Sequence, residues 1–169
     1  TAAAVMLLIG HQDIEEVITG VEWTTILFFT GLFVVVGGLQ ETGIIQVLAN
    51  GLMDLTKGHM TMTILLILWV SAIVSSFLDN IPFVATLIPL ILTMQSSGVD
   101  VTPLWWAVSL GACLGGNGTL IGASANVVLS GISTRHGFPI TFASYLKVGF
   151  PMMLVSVAIS TVFLLIRFG

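Results

Sequence analysis

Four long apolar segments, separated by short polar stretches, set the predicted organisation of this chain. They cover residues 24–39, 61–97, 104–135 and 142–167. A helix needs about 20 predominantly apolar residues to cross the hydrocarbon core of a membrane. We therefore predict an all-α membrane protein in which residues 24–39 and 142–167 each form one crossing. The shorter apolar run at residues 1–10 is interpreted as the end of a truncated helix.

Residues 41–56 follow a different pattern, in which apolar residues recur at helical spacing with polar residues between them. The apolar positions are Ile44, Ile45, Leu48, Leu52 and Leu55, and the polar ones are Gln46, Asn50 and Asp54. The segment is too polar to cross a membrane. The pattern therefore predicts a helix that lies in the membrane interface.

The polar sequence DNIP, residues 79–82, interrupts the apolar segment 61–97. A proline disfavours helical geometry in the residue before it and suits the first turn of a new helix. We predict one helix that ends near Leu78, a short tip, and a second helix that starts at Pro82. Inside a membrane, such a tip requires burial in protein or a water-filled cavity, so the segment is predicted to be a re-entrant hairpin.

A second interruption, GGNGT at residues 115–119, divides the apolar segment 104–135. Each glycine weakens a helix by about 1 kcal/mol. We therefore predict a broken membrane helix rather than a continuous helix with small side chains. At a rise of about 1.5 Å per residue, the chain returns from the loop near residue 100 to the depth of the DNIP tip. Two interrupted backbones at one depth are typical of a transporter's binding site.

The candidate site therefore combines both interruptions with the polar residues beside them. The candidate ion- and substrate-binding residues are Ser76, Asp79, Asn80, Gly115, Gly116, Asn117, Gly118, Thr119, Ser124 and Asn126. An acidic residue within a membrane is costly and by default indicates function. Among these residues, Asp79, Asn80 and Asn117 are the candidate Na⁺ ligands.

Each feature also has a plainer interpretation. Asp79 could cap a tight turn between two full crossings at the membrane surface, and Asn80 could be a turn residue. The glycines could allow two helices to pack closely. Ser75 and Ser76 are expected to donate hydrogen bonds to the preceding turn of their own helix.

Composition and charge exclude several classes of protein. Hydrophobic residues make up 56% of the 169 residues and charged residues only 7%, whereas soluble domains contain roughly 25% charged residues. The formal net charge of −4 excludes the basic footprint of a nucleic-acid-binding protein. The single cysteine, Cys113, cannot form a disulfide within the chain.

Three stretches carry a resemblance to a known family. They are VEWTTILFFTGLFVVVGGL from residue 21, LDNIPFVATLIPLI from residue 78 and GACLGGNGTLIGASANVV from residue 111. The chain resembles the second half of the citrate-transporter-like branch of the ion transporter superfamily, which includes the arsenite permeases and NhaD. Within that branch it is similar to the melanosomal P protein group.

The resemblance implies an architecture and a mechanism. Such transporters contain two inverted repeats, each with a re-entrant hairpin and a broken helix, and work by elevator-like alternating access. In relatives that carry dicarboxylates, the hairpin tip and the broken helix together hold Na⁺ and the substrate. Carried over to this chain, the tip falls on residues 79–82 and the broken helix on residues 115–119 and 124–126.

Two departures from the family pattern matter. Asp79 stands where the dicarboxylate relatives have serine, and its negative charge disfavours a di- or tricarboxylate while favouring coupling to Na⁺ or H⁺. It could also serve a neutral substrate such as arsenous acid. In addition, only one repeat is present, so a first repeat or a partner subunit is expected to complete the site, in a dimer in the inner (plasma) membrane of a prokaryote. No cofactor is expected beyond a bound Na⁺.

The leading hypothesis is a secondary active transporter of small ions or anions, not an enzyme. A passive channel on the same scaffold would only dissipate gradients, and a structural half-transporter subunit would bind no ion. An intramembrane protease would need two facing acids or a serine with a partnered histidine. Asp79 is the one acid deep in an apolar segment, and His136 lies in a predicted loop.

Overall fold

The computed structural model describes residues 23–169, together with Glu15, Thr19 and Val21. The predicted truncated helix at residues 1–10 lies outside the described residues. The chain forms two compact units, each held by its own internal contacts. The first ends at Val34 and the second consists of residues 35–169. The second unit contains both interruptions predicted from the sequence.

Seven α-helices make up the regular structure of the described residues, which contain no strand. They are α1 (Trp23–Glu41), α2 (Ile44–Thr56), α3 (Met60–Ser75), α4 (Asn80–Ser96), α5 (Thr102–Gly115), α6 (Ser124–Arg135) and α7 (Phe142–Phe168). The prediction of an all-α chain is therefore confirmed for this part of the molecule.

The core of the second unit is formed where α3, α5 and α7 meet. Leu68 of α3, Leu104 of α5 and Val157 of α7 are each fully buried in one apolar cluster. A hydrogen bond of 3.1 Å from Trp69 Nε1 to Thr161 Oγ1 joins α3 to α7. By contrast, α6 contributes no buried residue.

Helices α3 and α5 approach each other closely because two glycines of α5 face α3. A Cβ atom at Gly115 would lie 2.4 Å from Ala72 O, and one at Gly111 would lie 2.5 Å from Leu68 O. This spacing, Gly-x-x-x-Gly, lets membrane helices pack backbone to backbone. Close helix packing, the plainer interpretation of the glycine cluster, therefore holds for Gly115, and Gly111 extends the same contact.

One helix length and the apolar surface are consistent with a membrane protein. Within the described residues, α7 is long and apolar enough to cross a membrane, and residues 26–56 add a second crossing if α1 and α2 are counted as one bent span. Large apolar side chains remain exposed on many helices, including Val128, Ile159 and Ile166. The interfacial location of α2 and the re-entrant nature of the α3–α4 hairpin stay predictions.

Both predicted interruptions occur, but their boundaries differ from those expected. Helix α3 ends at Ser75 rather than near Leu78, and α4 begins at Asn80 rather than at Pro82. Pro82 is the third residue of α4, where its missing N–H leaves no helical hydrogen bond unmade. The second interruption covers residues 116–123 instead of 115–119, because the chain makes a further turn, from Thr119 to Gly122, before α6 begins.

Candidate functional site

The hairpin tip, residues 76–79, joins α3 to α4, and its first three N–H groups donate to carbonyl groups of α3. Ser76 N donates to Ala72 O at 3.1 Å, and the N–H groups of Phe77 and Leu78 both donate to Val74 O at 3.0 Å. Asp79 precedes α4 in an extended conformation (φ −59°, ψ 140°) and makes no side-chain capping bond to that helix. Its carboxylate is therefore available to other partners.

The helix break, residues 116–123, is held by backbone turns and by one side chain. Gly118 N donates to Gly115 O at 2.8 Å, and Gly122 N donates to Thr119 O at 3.2 Å. Asn126, in the first turn of α6, donates from Nδ2 to Gly116 O at 3.0 Å and to Thr119 O at 3.2 Å. One amide thus joins Gly116 O, just past the end of α5, to Thr119 O of the following turn.

The hairpin tip and the helix break contact each other directly. Thr119 is fully buried, and its Oγ1 donates to the carbonyl oxygen of Ser76. Ser124 Oγ donates to Asp79 Oδ2 at 3.2 Å. These two hydrogen bonds join segments 43 and 45 residues apart in the sequence.

Glycine suits the contact because the side chains of Ser76 and Asn80 occupy the space that a Cβ would need. A Cβ at Gly116 would lie 2.9 Å from Asn80 Oδ1, and one at Gly118 would lie 2.8 Å from Ser76 Cβ. Contacts below 3.0 Å are essentially never made by real Cβ atoms. The glycines of the break therefore permit the close approach of the two segments.

Ser75 is a residue whose contribution the sequence interpretation missed. Its Oγ lies 2.8 Å from Ala112 O of α5 and 2.5 Å from Asn80 Oδ1, so the expectation that it bonds to its own helix is wrong. Ser76 does donate to its own helix, at Ile73 O (2.6 Å). A hydroxyl carries one proton, so Ala112 O and Asn80 Oδ1 compete for the proton of Ser75.

The candidate residues occupy three kinds of position. Asp79 and Ser124 are exposed, Asn80 and Asn126 are half-buried, and Ser76 and Thr119 are fully buried. Asn117 is exposed, and within the described residues no hydrogen bond joins its side chain to the hairpin tip. Its carbonyl oxygen instead faces α7, 2.8 Å from where a Cβ of Gly149 would lie.

The oxygen atoms at this contact converge on a small space. A Cβ at Gly122 would lie 2.8 Å from both Gly116 O and Ser76 O, so two carbonyl oxygens lie close to one position. The carboxylate of Asp79 supplies negative charge at the same contact. Unwound carbonyls and helix ends of this kind coordinate Na⁺ or H⁺ in transporters. Among the described residues, no group of three or more His, Cys, Asp and Glu residues could hold a metal.

The hydrogen bond from Thr119 gives a stability prediction. We expect Thr119→Val to lower the free energy of unfolding by about 1–3 kcal/mol, because valine keeps the shape of threonine and removes the hydroxyl donor. Equilibrium unfolding in mixed micelles measures this difference. Thr134→Val is the control, since exposed Thr134 donates only to Ser130 O of its own helix, and its effect should stay within about 0.5 kcal/mol. Equal losses in both variants would contradict a role for Thr119 in joining the segments.

The chain matches a known protein family and several named relatives. The family model described as "Citrate transporter" matches residues 1–111. The chain is 42% identical over 169 residues to the P protein of Homo sapiens. That match covers 95% of this chain and 20% of the P protein. It is 40% identical to a "46 kDa membrane protein" of Mycobacterium leprae and 43% identical to an "uncharacterized transporter" of Mycobacterium tuberculosis.

The mycobacterial matches cover 98% of this chain and 39% of those proteins. The chain therefore spans about a fifth to two fifths of the length of these relatives. No solved structure matches it. The resemblance to the citrate-transporter-like branch and to the P protein group is confirmed by these comparisons. The chain belongs to the citrate transporter family.

Proposed function

We propose that this chain forms part of a secondary active transporter that moves small ions or anions across a membrane, with coupling to Na⁺ or H⁺. The observation that carries the proposal is the direct contact between the hairpin tip and the helix break. Each segment interrupts a helix, and the contact brings the carbonyl oxygens of Ser76 and Gly116 together with one carboxylate. Membership of the citrate transporter family and the transporter names of relatives support the same class of function.

Asp79 is the residue to which we assign the coupling ion. Its carboxylate accepts a hydrogen bond from Ser124 and stands at the N-terminus of α4, where the partial positive charge of the helix favours an anion. An ionised carboxylate attracts Na⁺ or H⁺ and repels a di- or tricarboxylate. We therefore favour a cation, a proton or a neutral solute as the species that approaches Asp79.

The ligand set that we propose for Na⁺ combines charged and neutral oxygens. Asp79 Oδ2, Asn80 Oδ1 and the carbonyl oxygens of Ser76 and Gly116 are the proposed donors. The competition for the Ser75 proton supports this assignment, because Asn80 Oδ1 keeps a free lone pair whenever Ser75 donates to Ala112 O. Asn117 is left out of this set because its carbonyl oxygen faces α7, and Asn126 holds the break through its bonds to Gly116 O and Thr119 O.

Further features of the mechanism follow as proposals. The two segments are suited to move together as the solute-carrying part of an elevator-type transporter. Other parts of the natural polypeptide, or a partner subunit, supply the facing half of the site, and the assembly is a dimer. The mycobacterial relatives support a prokaryotic inner membrane as its location.

Transport against a gradient tests the proposal. We would reconstitute the natural polypeptide that carries this sequence into proteoliposomes and impose an inward or outward gradient of Na⁺ or H⁺. An imposed Na⁺ gradient should drive H⁺ or a small solute uphill, measured with an entrapped pH dye and with labelled solutes. A channel would dissipate each gradient without accumulation, and a purely structural subunit would give the flux of empty liposomes. Either result would overturn the proposal.

A further inference from the structure

A groove runs between α2 and α3, away from the contact between the hairpin tip and the helix break. It consists of two adjoining cavities of about 340 Å³ and 640 Å³, which share Leu55, Leu66 and Val70 in their walls. The smaller cavity also reaches α4, and the larger one ends at the loop between α2 and α3. We call these two cavities together the α2–α3 groove. Volumes of this size are typical of small-molecule sites.

The smaller cavity is apolar along nearly its whole wall. Leucine, isoleucine and valine side chains line it, with the small residues Gly51 and Ser71 between them. Several of these side chains remain largely exposed, including Val47 (71%) and Leu55 (76%). Burying such a side chain is favourable by about 1.5–3 kcal/mol, so the chemistry of the wall selects an apolar occupant.

The larger cavity ends in a polar group of residues that includes the positive charge of Lys57. Thr56, Lys57 and His59 line that end, where α2 stops and Lys57 adopts a left-handed backbone conformation (φ 49°). Lys57 is exposed, and within the described residues it forms no ion pair. The groove thus has an apolar length and a cationic end.

We propose that the α2–α3 groove binds an anionic phospholipid, with one acyl chain along Leu55, Leu66 and Val70 and the phosphate at Lys57 and His59. The apolar length of the groove suits an acyl chain and its cationic end suits a phosphate, since basic pockets between membrane helices bind anionic headgroups. A free phosphate would leave the apolar length of the groove unfilled. The proposal requires only that the chain lies in a membrane and is independent of the solute transported.

Native mass spectrometry of the natural polypeptide carrying this sequence tests the proposal. The probes are dioleoyl phosphatidylglycerol and dioleoyl phosphatidylcholine, which share acyl chains and differ in headgroup charge. We expect preferential retention of phosphatidylglycerol. Lys57→Gln should weaken its binding about fivefold, because one basic residue near an anionic lipid contributes about 1 kcal/mol, and should leave phosphatidylcholine unchanged. Free glycerol phosphate should not displace the bound lipid.

Two matched pairs of variants separate the groove from general lipid contact. Arg135→Gln removes a positive charge at the end of α6 and should leave lipid retention unchanged. Leu66 lines both cavities, so the larger side chain of Leu66→Trp should fill the groove and abolish phosphatidylglycerol retention. Ile73→Trp, at an exposed position of α3 outside the groove, should leave retention unchanged. Equal retention of the two lipids by the wild type, or retention unaffected by Lys57→Gln or by Leu66→Trp, would overturn the proposal. Absence of any bound lipid, as expected if another protein segment fills the groove, would overturn it as well.

Discussion

Asp79→Asn should abolish gradient-driven uphill flux and leave the protein folded and inserted. Asparagine has nearly the same shape as aspartate, and its side-chain oxygen can still accept the hydrogen bond that Ser124 donates to Asp79 Oδ2. The substitution therefore removes the negative charge while keeping the contact between the hairpin tip and the helix break. Uptake into proteoliposomes over pH 5 to 9, with Na⁺ or H⁺ gradients of either direction, measures the loss.

The control for this experiment removes a carboxylate elsewhere in the chain. Asp54 is exposed on α2, outside both the hairpin tip and the helix break, and Asp54→Asn should keep wild-type flux. Both variants should give wild-type yields in the membrane and wild-type helix content by circular dichroism. Wild-type coupled flux from Asp79→Asn would remove Asp79 from the mechanism, and equal losses in both variants would assign the effect to general charge.

Gly115→Ala should produce a large loss of stability for the addition of a single methyl group. Its Cβ would lie 2.4 Å from Ala72 O and 2.7 Å from Ala72 Cα, and both are backbone atoms that a rotamer change cannot move aside. Helices α3 and α5 would have to separate along the face that carries Ser75 and Ala112. We expect the free energy of unfolding to fall by about 3 kcal/mol, the upper range for overpacking, as measured by equilibrium unfolding in mixed micelles.

A glycine in open space provides the matched control. No atom lies within 4 Å of a Cβ at Gly131 of α6, so Gly131→Ala should be neutral or stabilise by up to about 1 kcal/mol, because alanine favours helix over glycine. An unchanged stability for Gly115→Ala would show that α3 and α5 do not pack through this glycine. Because the hairpin tip continues directly from α3, Gly115→Ala should also reduce transport in proportion to the folded fraction.

Local sequence features predicted both interruptions but placed their boundaries imperfectly. Proline and clustered glycines act on their own backbone and the adjacent turn, so their effect is readable without any tertiary information. Helix ends depend in addition on which partners satisfy the free carbonyl groups. At the second interruption, Asn126 supplies that partner from ten residues away, and the break is accordingly longer than the glycines alone predict.

The assignment of individual polar side chains could not be made from the sequence. Helix rise gives the depth of a residue, but its rotation about the helix axis depends on packing against neighbouring helices. Ser75 was expected to bond to its own helix and instead bonds to α5. Both Asn117 and Asn126 are candidate binding residues by sequence, with Asn117 also a candidate Na⁺ ligand, yet Asn126 bonds across the break whereas Asn117 is exposed and its carbonyl faces Gly149.

The sequence by itself determined that this is an all-helical membrane chain of the citrate transporter family with two interrupted apolar segments. These properties follow from apolar length, from proline and glycine chemistry and from short motifs, all of which act locally along the backbone. Only the tertiary structure decided that the Ser76 carbonyl meets Thr119 and that Asp79 meets Ser124. Those pairings depend on how closely α3 and α5 pack, which is fixed by the absence of side chains at Gly111 and Gly115.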